Sequence, residues 1–224
     1  MKFGHLALAE AAGAILAHAH VVTIDGERRK LAKGLVLTPD HVAALAAAGL
    51  TSVVAARLDA GDVGEDDAAA QLASAAAGAG VTAMAAFTGR VNLVATRAGL
   101  VLIGASAVNG FNAIDESLTL STLRPFEAVT VGQMLATVKI IPFGAPADAV
   151  RAGVELLSGG AVSVAAFRPR KVGLLVTLLP SLKTKLHDKT RRVLEARLRK
   201  SGSSVVAERR VAHQAEAVAA GLAG

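Results

Sequence analysis

The sequence predicts a mixed α/β chain: an N-terminal α+β region, a small β-rich module, and then an incomplete doubly wound parallel α/β domain. Three observations predict it. Up to residue 78, Ala/Leu segments with helix-capping residues alternate with β-branched runs. Short Val/Thr/Leu/Ile runs punctuated by Gly and Asn fill 81–142, the pattern of a small sandwich or barrel. Beyond Pro169, two apolar runs are each followed by a helix-forming segment, the order of a parallel sheet with crossover helices. The expected divisions are 1–78, 79–166 and 167–224.

In chain order, residues 6–20 read as a short Ala-rich helix, and Asp25-Gly26 as a turn. Residues 33–37 read as a strand. Thr38 is a good N-cap and Pro39 suits the first helical position, so 39–48 is a helix stopped by Gly49. A strand over 51–58 precedes a helix over 66–77, whose first turn is charged by acids that complement its dipole. Strands follow over 91–95, 100–103, 118–121 and 136–141. Asn109-Gly110-Phe111-Asn112 carries a hairpin-type turn signal. A helix over 145–157 turns Ala149, Val150, Val154 and Leu157 inward, and 161–167 is a further strand. Residues 171–179 then form an apolar run expected to be buried on both faces of a parallel sheet. A basic loop, 181–187, leads to an amphipathic helix over 188–200 with Val193, Leu194 and Leu198 inward. Residues 205–211 are the second parallel strand and 214–223 the second helix. Two strands leave a parallel sheet with open edges, so the domain is expected to be half built and prone to pairing with another copy.

At 224 residues and 53% hydrophobic, the chain can bury a real core. No apolar run reaches membrane-spanning length, and the N-terminus lacks the pattern of a signal peptide. With no cysteine, disulfides, thiolate catalysis and Cys-ligated metals are excluded. A cytoplasmic location is expected. Six Phe and no Trp or Tyr leave little for stacking nucleic-acid bases, so no nucleic-acid partner is expected. The net charge of +6 is uneven: Arg168–His213 holds 13 Lys and Arg against Asp188, Glu195 and Glu208, while the remainder is acidic on balance. Such a segment suits an anionic partner.

Several residues could carry chemistry, each beside a plainer reading. A helix start over Asp188, Lys189 and Thr190, after a loop holding Lys183 and Lys185, could form one wall of a phosphate pocket; the plainer reading is an ordinary Asp N-cap. Arg168, Arg170 and Lys171 could steer an anion or belong to a solvated linker. Arg191, Arg192, Arg197, Arg199 and Lys200 read as a solvated face. Thr88-Gly89-Arg90-Val91-Asn92 could hold a small anion or simply turn, with Gly89 at positive φ. Lys139 sits in an apolar strand, on a solvated face or as a phosphate ligand. Asp62, Glu65, Asp66 and Asp67 could hold Mg2+, or only charge a helix start. His18 and His20 lack a third ligand, so no zinc is expected.

Three stretches carry a resemblance. Residues 31–50, with Lys33-Gly34-Leu35-Val36-Leu37-Thr38-Pro39-Asp40-His41-Val42 at their centre, resemble a segment of MoeA-type molybdopterin molybdenumtransferases. Gly132-Gln133-Met134-Leu135-Ala136-Thr137-Val138-Lys139-Ile140-Ile141-Pro142-Phe143 resembles a stretch of a proteobacterial molybdopterin-binding subgroup, some of whose members are fused to a cytidylyltransferase-like domain. Arg170–Thr177, with Asp188-Lys189-Thr190 and 205–211, resembles the opening of the MogA/MoaB-like domain. That family's Gly-rich pterin loop after a third strand, its acidic element after the second strand and the MoeA-type D-G-Y-A signature have no counterpart here.

The resemblance implies a molybdopterin-binding protein of molybdenum-cofactor biosynthesis, with a MoeA-like N-terminal region followed by the truncated start of a MogA/MoaB-like domain. It implies Thr177, Lys183, Lys185, Asp188, Lys189 and Thr190 as ligand residues, and molybdopterin, held weakly or not at all by this chain alone, as ligand. Other proteins of the pathway and a second copy of the chain are the expected partners. Any enzymatic role would be as a molybdenumtransferase- or nucleotidyltransferase-associated protein, with no catalytic residue assigned. The competing reading is a non-catalytic scaffold for oligomerisation or partner docking.

Overall fold

The computed structural model describes residues 1–181 and 184–223. It forms two compact units, one from Met1–Arg97 and Val101–Ala165, the other from Ala98–Leu100 and Ala166–Gly224. Helices mix with several small, mostly antiparallel sheets. Among the described residues, no helix is long and apolar enough to cross a membrane.

The first unit opens with β1 (Lys2–Ala7), a 3-10 turn (Leu8–Glu10) and the two-residue β2 (Ile15–Leu16). This corrects the helix expected over 6–20. Leu8, Ala11, Ala14 and Leu16 are all buried, but alanine fits a turning chain as well as a helix, so its spacing carried no period to read. β3 (His20–Ile24) and β4 (Glu27–Leu31) make a hairpin closed at Asp25-Gly26, both at positive φ as a type I′ turn requires. The strand expected over 33–37 is a turn followed by one bridge, Ile15 to Val36. α1 (Pro39–Ala47) starts as anticipated: the His41 N–H donates to Thr38 Oγ1, and the Thr38 N–H donates to His41 Nδ1. β5 (Ser52–Arg57) lies between β1 and β2, antiparallel to both. Leu8, Leu16, Leu31, Leu37, Leu45 and Val53 close the core beneath α1.

After β6 (Asp62–Gly64) comes α2 (Glu65–Ala76), then β7 (Val81–Ala83), β8 (Arg90–Ala95), β9 (Gly99–Ile103) and α3 (Ala105–Asn112). β10 (Leu118–Thr122), β11 (Ala128–Val129), β12 (Met134–Ile140), β13 (Gly144–Pro146), α4 (Ala147–Leu157) and β14 (Val162–Ala166) follow. The sheets run β10-β12-β8-β7, β11-β9-β14 and β13-β6. α2 buries Ala68, Ala69, Leu72, Ala73 and Ala76, and Gly153 of α4 lies so close to Leu72 that a Cβ there would fall 2.7 Å from its Cδ2. Leu72, Leu93, Phe111, Leu120 and Leu135 are fully buried, each contributing about 1.5–3 kcal/mol. The turn expected at 109–112 lies instead inside α3. Phe111 is core, and Asn112 ties the helix end to β10: the Leu120 N–H donates to Oδ1 (2.8 Å) and Nδ2 donates to the Leu120 carbonyl (3.0 Å).

The second unit carries β15 (Lys171–Leu178), α5 (Thr184–Arg199), β16 (Ser204–Ala212) and α6 (Ala215–Ala223). β15 and β16 pair in parallel over their full length, with one register shift between Val172 and Gly173. Along β16 the side chains alternate. Glu208 and Arg210 bond to α5, whereas Arg209 donates to the Gly221 carbonyl of α6 and Val211 packs beside Gly221. The two helices therefore cover opposite faces of the pair. β15 is not buried on both faces as expected; its residues are half-buried or exposed, because two strands present too little sheet for two helices to seal. Two further corrections concern α5. It begins at Thr184, not 188, and its inward stripe is His187, Arg191, Leu194 and Leu198, while Val193 faces solvent.

Candidate functional site

The parallel pair fixes where a site in the second unit can be. Ligands of open α/β sheets bind outside the carboxyl ends of the strands, where the connections to the helices begin. Thr177 is the last residue but one of β15 there and His213 follows β16. Thr177 Oγ1 lies 3.0 Å from His213 Nδ1, and the His213 N–H donates to the Leu178 carbonyl at 3.2 Å. A cavity of about 490 Å³ opens beside them, lined by Thr177, His213, Gln214, Ala215, Val218 and Leu222. It offers a hydroxyl, an imidazole and an amide against an apolar wall. Its one negative group nearby in sequence is Glu216, in the first turn of α6.

The structure brings Thr177 to this edge and places Lys185, Asp188, Lys189 and Thr190 along α5. Lys183 lies outside the described residues. Lys185 is exposed in the first turn of α5. Because α5 starts at Thr184, Asp188, Lys189 and Thr190 lie one turn in and cap nothing. Asp188 is spent on Arg210 of β16 (2.7 Å), and the Thr190 hydroxyl donates to the Leu186 carbonyl at 3.1 Å. Lys189 is exposed. Asp188 belongs to a chain of ion pairs in which Arg210 also meets Glu208 (2.5 Å), and Arg191 meets Glu208 (2.8 Å) and Glu195 (3.0 Å). Hydrogen bonds from Arg210 hold both the Asp188 and Glu208 carboxyls below their usual range. Of the helix bases, Arg192, Arg197, Arg199 and Lys200 are exposed, and so are Arg168, Arg170 and Lys171.

Sequence reasoning missed His213 and His187. A histidine directly after the second strand of a β-α-β unit was a usable signal for the first. His187 is buried, and its Nε2 is the one buried side-chain polar atom among the described residues without a hydrogen-bond partner.

In the first unit the acids over 62–67 do not converge. Asp62 meets the Met1 ammonium (2.9 Å) and accepts from the Asp59 N–H, while Asp66 Oδ1 accepts from the Gly89 N–H at 2.7 Å. Among the described residues, no three His, Asp or Glu side chains are placed to hold a metal ion. What does converge is cationic. Lys33, Arg90 and Lys139 line a cavity of about 330 Å³ together with Glu65, Thr88 and Phe143. Phe143 stacks on Phe3 at 6.3 Å between centroids, and Lys33 Nζ sits 5.5 Å above its ring. Burial pushes the Glu65 carboxyl above its ordinary value; the charge of Asp66 adds to this and Lys33 offsets part of it.

Residues 5–57 match the family model of a domain of unknown function (DUF8806). The match runs from β1 to the end of β5, the segment that closes the core beneath α1. No curated protein and no solved structure matches the chain.

Proposed function

We propose that the chain is a molybdopterin-binding protein acting in molybdenum-cofactor biosynthesis, and that its second unit is a β-α-β-α unit of the doubly wound, MogA/MoaB-like kind. The observation that supports this most is the β15–α5–β16–α6 arrangement: parallel strands, helices on opposite faces, and Thr177 joined to His213 at the carboxyl edge. That is the strand-helix order the resemblance implies.

The residues at this edge fit a phosphorylated pterin in part. Thr177, His213 and Gln214 would donate to phosphate or to ring nitrogens, and the apolar wall of α6 suits a flat ring system. Among the described residues, no Lys or Arg lines this cavity. The chain alone is therefore expected to bind weakly, with Kd above about 1 µM, which leaves less than about 8 kcal/mol of binding free energy. Equilibrium titration of the full chain with molybdopterin tests this. Saturable micromolar binding, weakened in Thr177→Val and His213→Ala at unchanged circular dichroism, supports the reading. No binding at millimolar ligand, or binding indifferent to both substitutions, removes it.

The second reading, a docking scaffold, is favoured by the exposed apolar residues of the second unit, Leu178, Leu179, Val206 and Leu222. Concentration-dependent association without any pterin affinity would select it.

A further inference from the structure

We propose that the cavity lined by Lys33, Arg90 and Lys139 in the first unit is a binding site for a small organic phosphate ester. Nothing in the pterin reading requires it, and it shares no residue with the strand-end cavity.

Three observations carry it. Arg90 and Lys139 are directly opposed partners in the β8–β12 register, on one face of the sheet. Like charges placed opposite each other repel, so this pairing is unfavourable unless an anion lies between them. Lys33 then arrives from the connection between β4 and α1, over the Phe143 ring, and adds a third positive charge to the same cavity. None of the three makes a side-chain hydrogen bond or an ion pair among the described residues, although Glu65 lies in the same cavity.

The second observation is strain. Thr88 and Gly89 form the two-residue turn between Phe87 and Arg90, both at positive φ (51° and 69°). A β-branched residue in that conformation is a genuine outlier, and such strain concentrates where a side chain must be held in place. Asn or Gly would close the same turn without strain. Thr88 instead sets a hydroxyl, bonded to no other described side chain or backbone group, on the cavity wall. The turn is also locked from behind. Gly89 donates to Asp66, its carbonyl accepts from the Ile140 N–H (2.7 Å), and a Cβ there would sit 2.7 Å from Glu65 Oε2.

The donor set selects phosphate. A guanidinium fork, two ammonium groups and a hydroxyl supply more donors than one carboxylate can accept, and they match a dianion with three free oxygens. The volume falls within the range of about 300–1,000 Å³ that accommodates small organic ligands, so an ester rather than the bare ion is the expected occupant.

Calorimetric titration of the full chain with ribose 5-phosphate and with inorganic phosphate, at matched ionic strength, tests the proposal. Ribose 5-phosphate is expected to bind saturably and more tightly than phosphate. Arg90→Gln and Lys139→Met are each expected to weaken it by about tenfold or more, and Glu65→Gln to tighten it. Lys30→Ala, an exposed cation of β4, and Thr177→Val are expected to leave it unchanged. Absence of binding at about 10 mM ester overturns the proposal, as does an affinity indifferent to both cation substitutions in folded protein. Loss through Thr177→Val also overturns it, by assigning the phosphate to the strand-end cavity. A pterin titration that fails leaves these outcomes untouched.

Discussion

Arg210 of β16 lies 2.7 Å from Asp188 of α5 and 2.5 Å from Glu208 on its own strand, so one guanidinium joins the helix to the sheet. Both carboxyls are held below their ordinary range by it, and a depressed carboxylate stabilises the fold above its unfolded pKa. That contribution is complete above about pH 5, beyond the unfolded values of both carboxyls, and is lost as pH falls through the depressed folded values. Arg210→Ala should therefore lower the thermal midpoint of the second unit at neutral pH and flatten its decline in acid. Melts between pH 2 and 7, followed by circular dichroism, check this; parallel wild-type and variant curves would contradict it.

Glu65 predicts the opposite sign. Its folded carboxyl holds a proton more tightly than the unfolded one, so its contribution is favourable below the ordinary value of 4.5 and is lost as pH rises through the raised value. Glu65→Gln should stabilise the first unit at pH 7 relative to wild type, and the advantage should shrink towards pH 4. Denaturant unfolding at the two pH values measures the difference.

Relief of strain at Thr88 should be visible directly. Thr88→Asn keeps the positive φ of the turn at lower cost and should stabilise the first unit by about 1 kcal/mol, the low end of the range for such outliers. The same substitution should not improve ester binding. Stability and affinity rising together would mean that the threonine serves neither.

Gly160 marks the tightest backbone approach in the first unit. Its φ is +81°, and a Cβ there would fall 2.4 Å from the Gly78 Cα, which cannot swing aside as a side chain could. Left-handed strain and overpacking act together, so Gly160→Ala should cost about 2 kcal/mol or more. Gly132→Ala is the comparison, with φ +81° and open space around it; it should cost the strain alone.

Which parts of this fold were legible follows from the physics of each segment. The cap at Thr38-Pro39 and the parallel pair could be read because their signals are local: a side-chain oxygen at a helix start, and two apolar runs around an amphipathic stretch. The segment 6–20 could not, since Ala11 and Ala14 are buried in a turning chain as readily as in a helix. Asn112 looked like a turn residue because its partner, the backbone of Leu120, is supplied only by the fold. The phosphate assignment of Asp188 had the same flaw, since Arg210 lies 22 residues away and claims it first. The cationic cavity was dispersed over Lys33, Glu65, Arg90 and Lys139. Arg90 and Lys139 each read as a possible anion ligand or a plain turn or solvated charge, and only the β8–β12 register sets the two face to face.

The pterin reading depends most on where the ligand sits. Amide chemical shifts of the full, isotopically labelled chain during a molybdopterin titration locate it residue by residue. The account predicts that the largest changes fall at Thr177–Leu179 and His213–Ala215, and that any shifts around Lys33, Arg90 and Lys139 are reproduced by ribose 5-phosphate alone, which leaves the two strand ends unmoved. Shifts absent from both strand ends, at ligand concentrations where the rest of the protein responds, would contradict it.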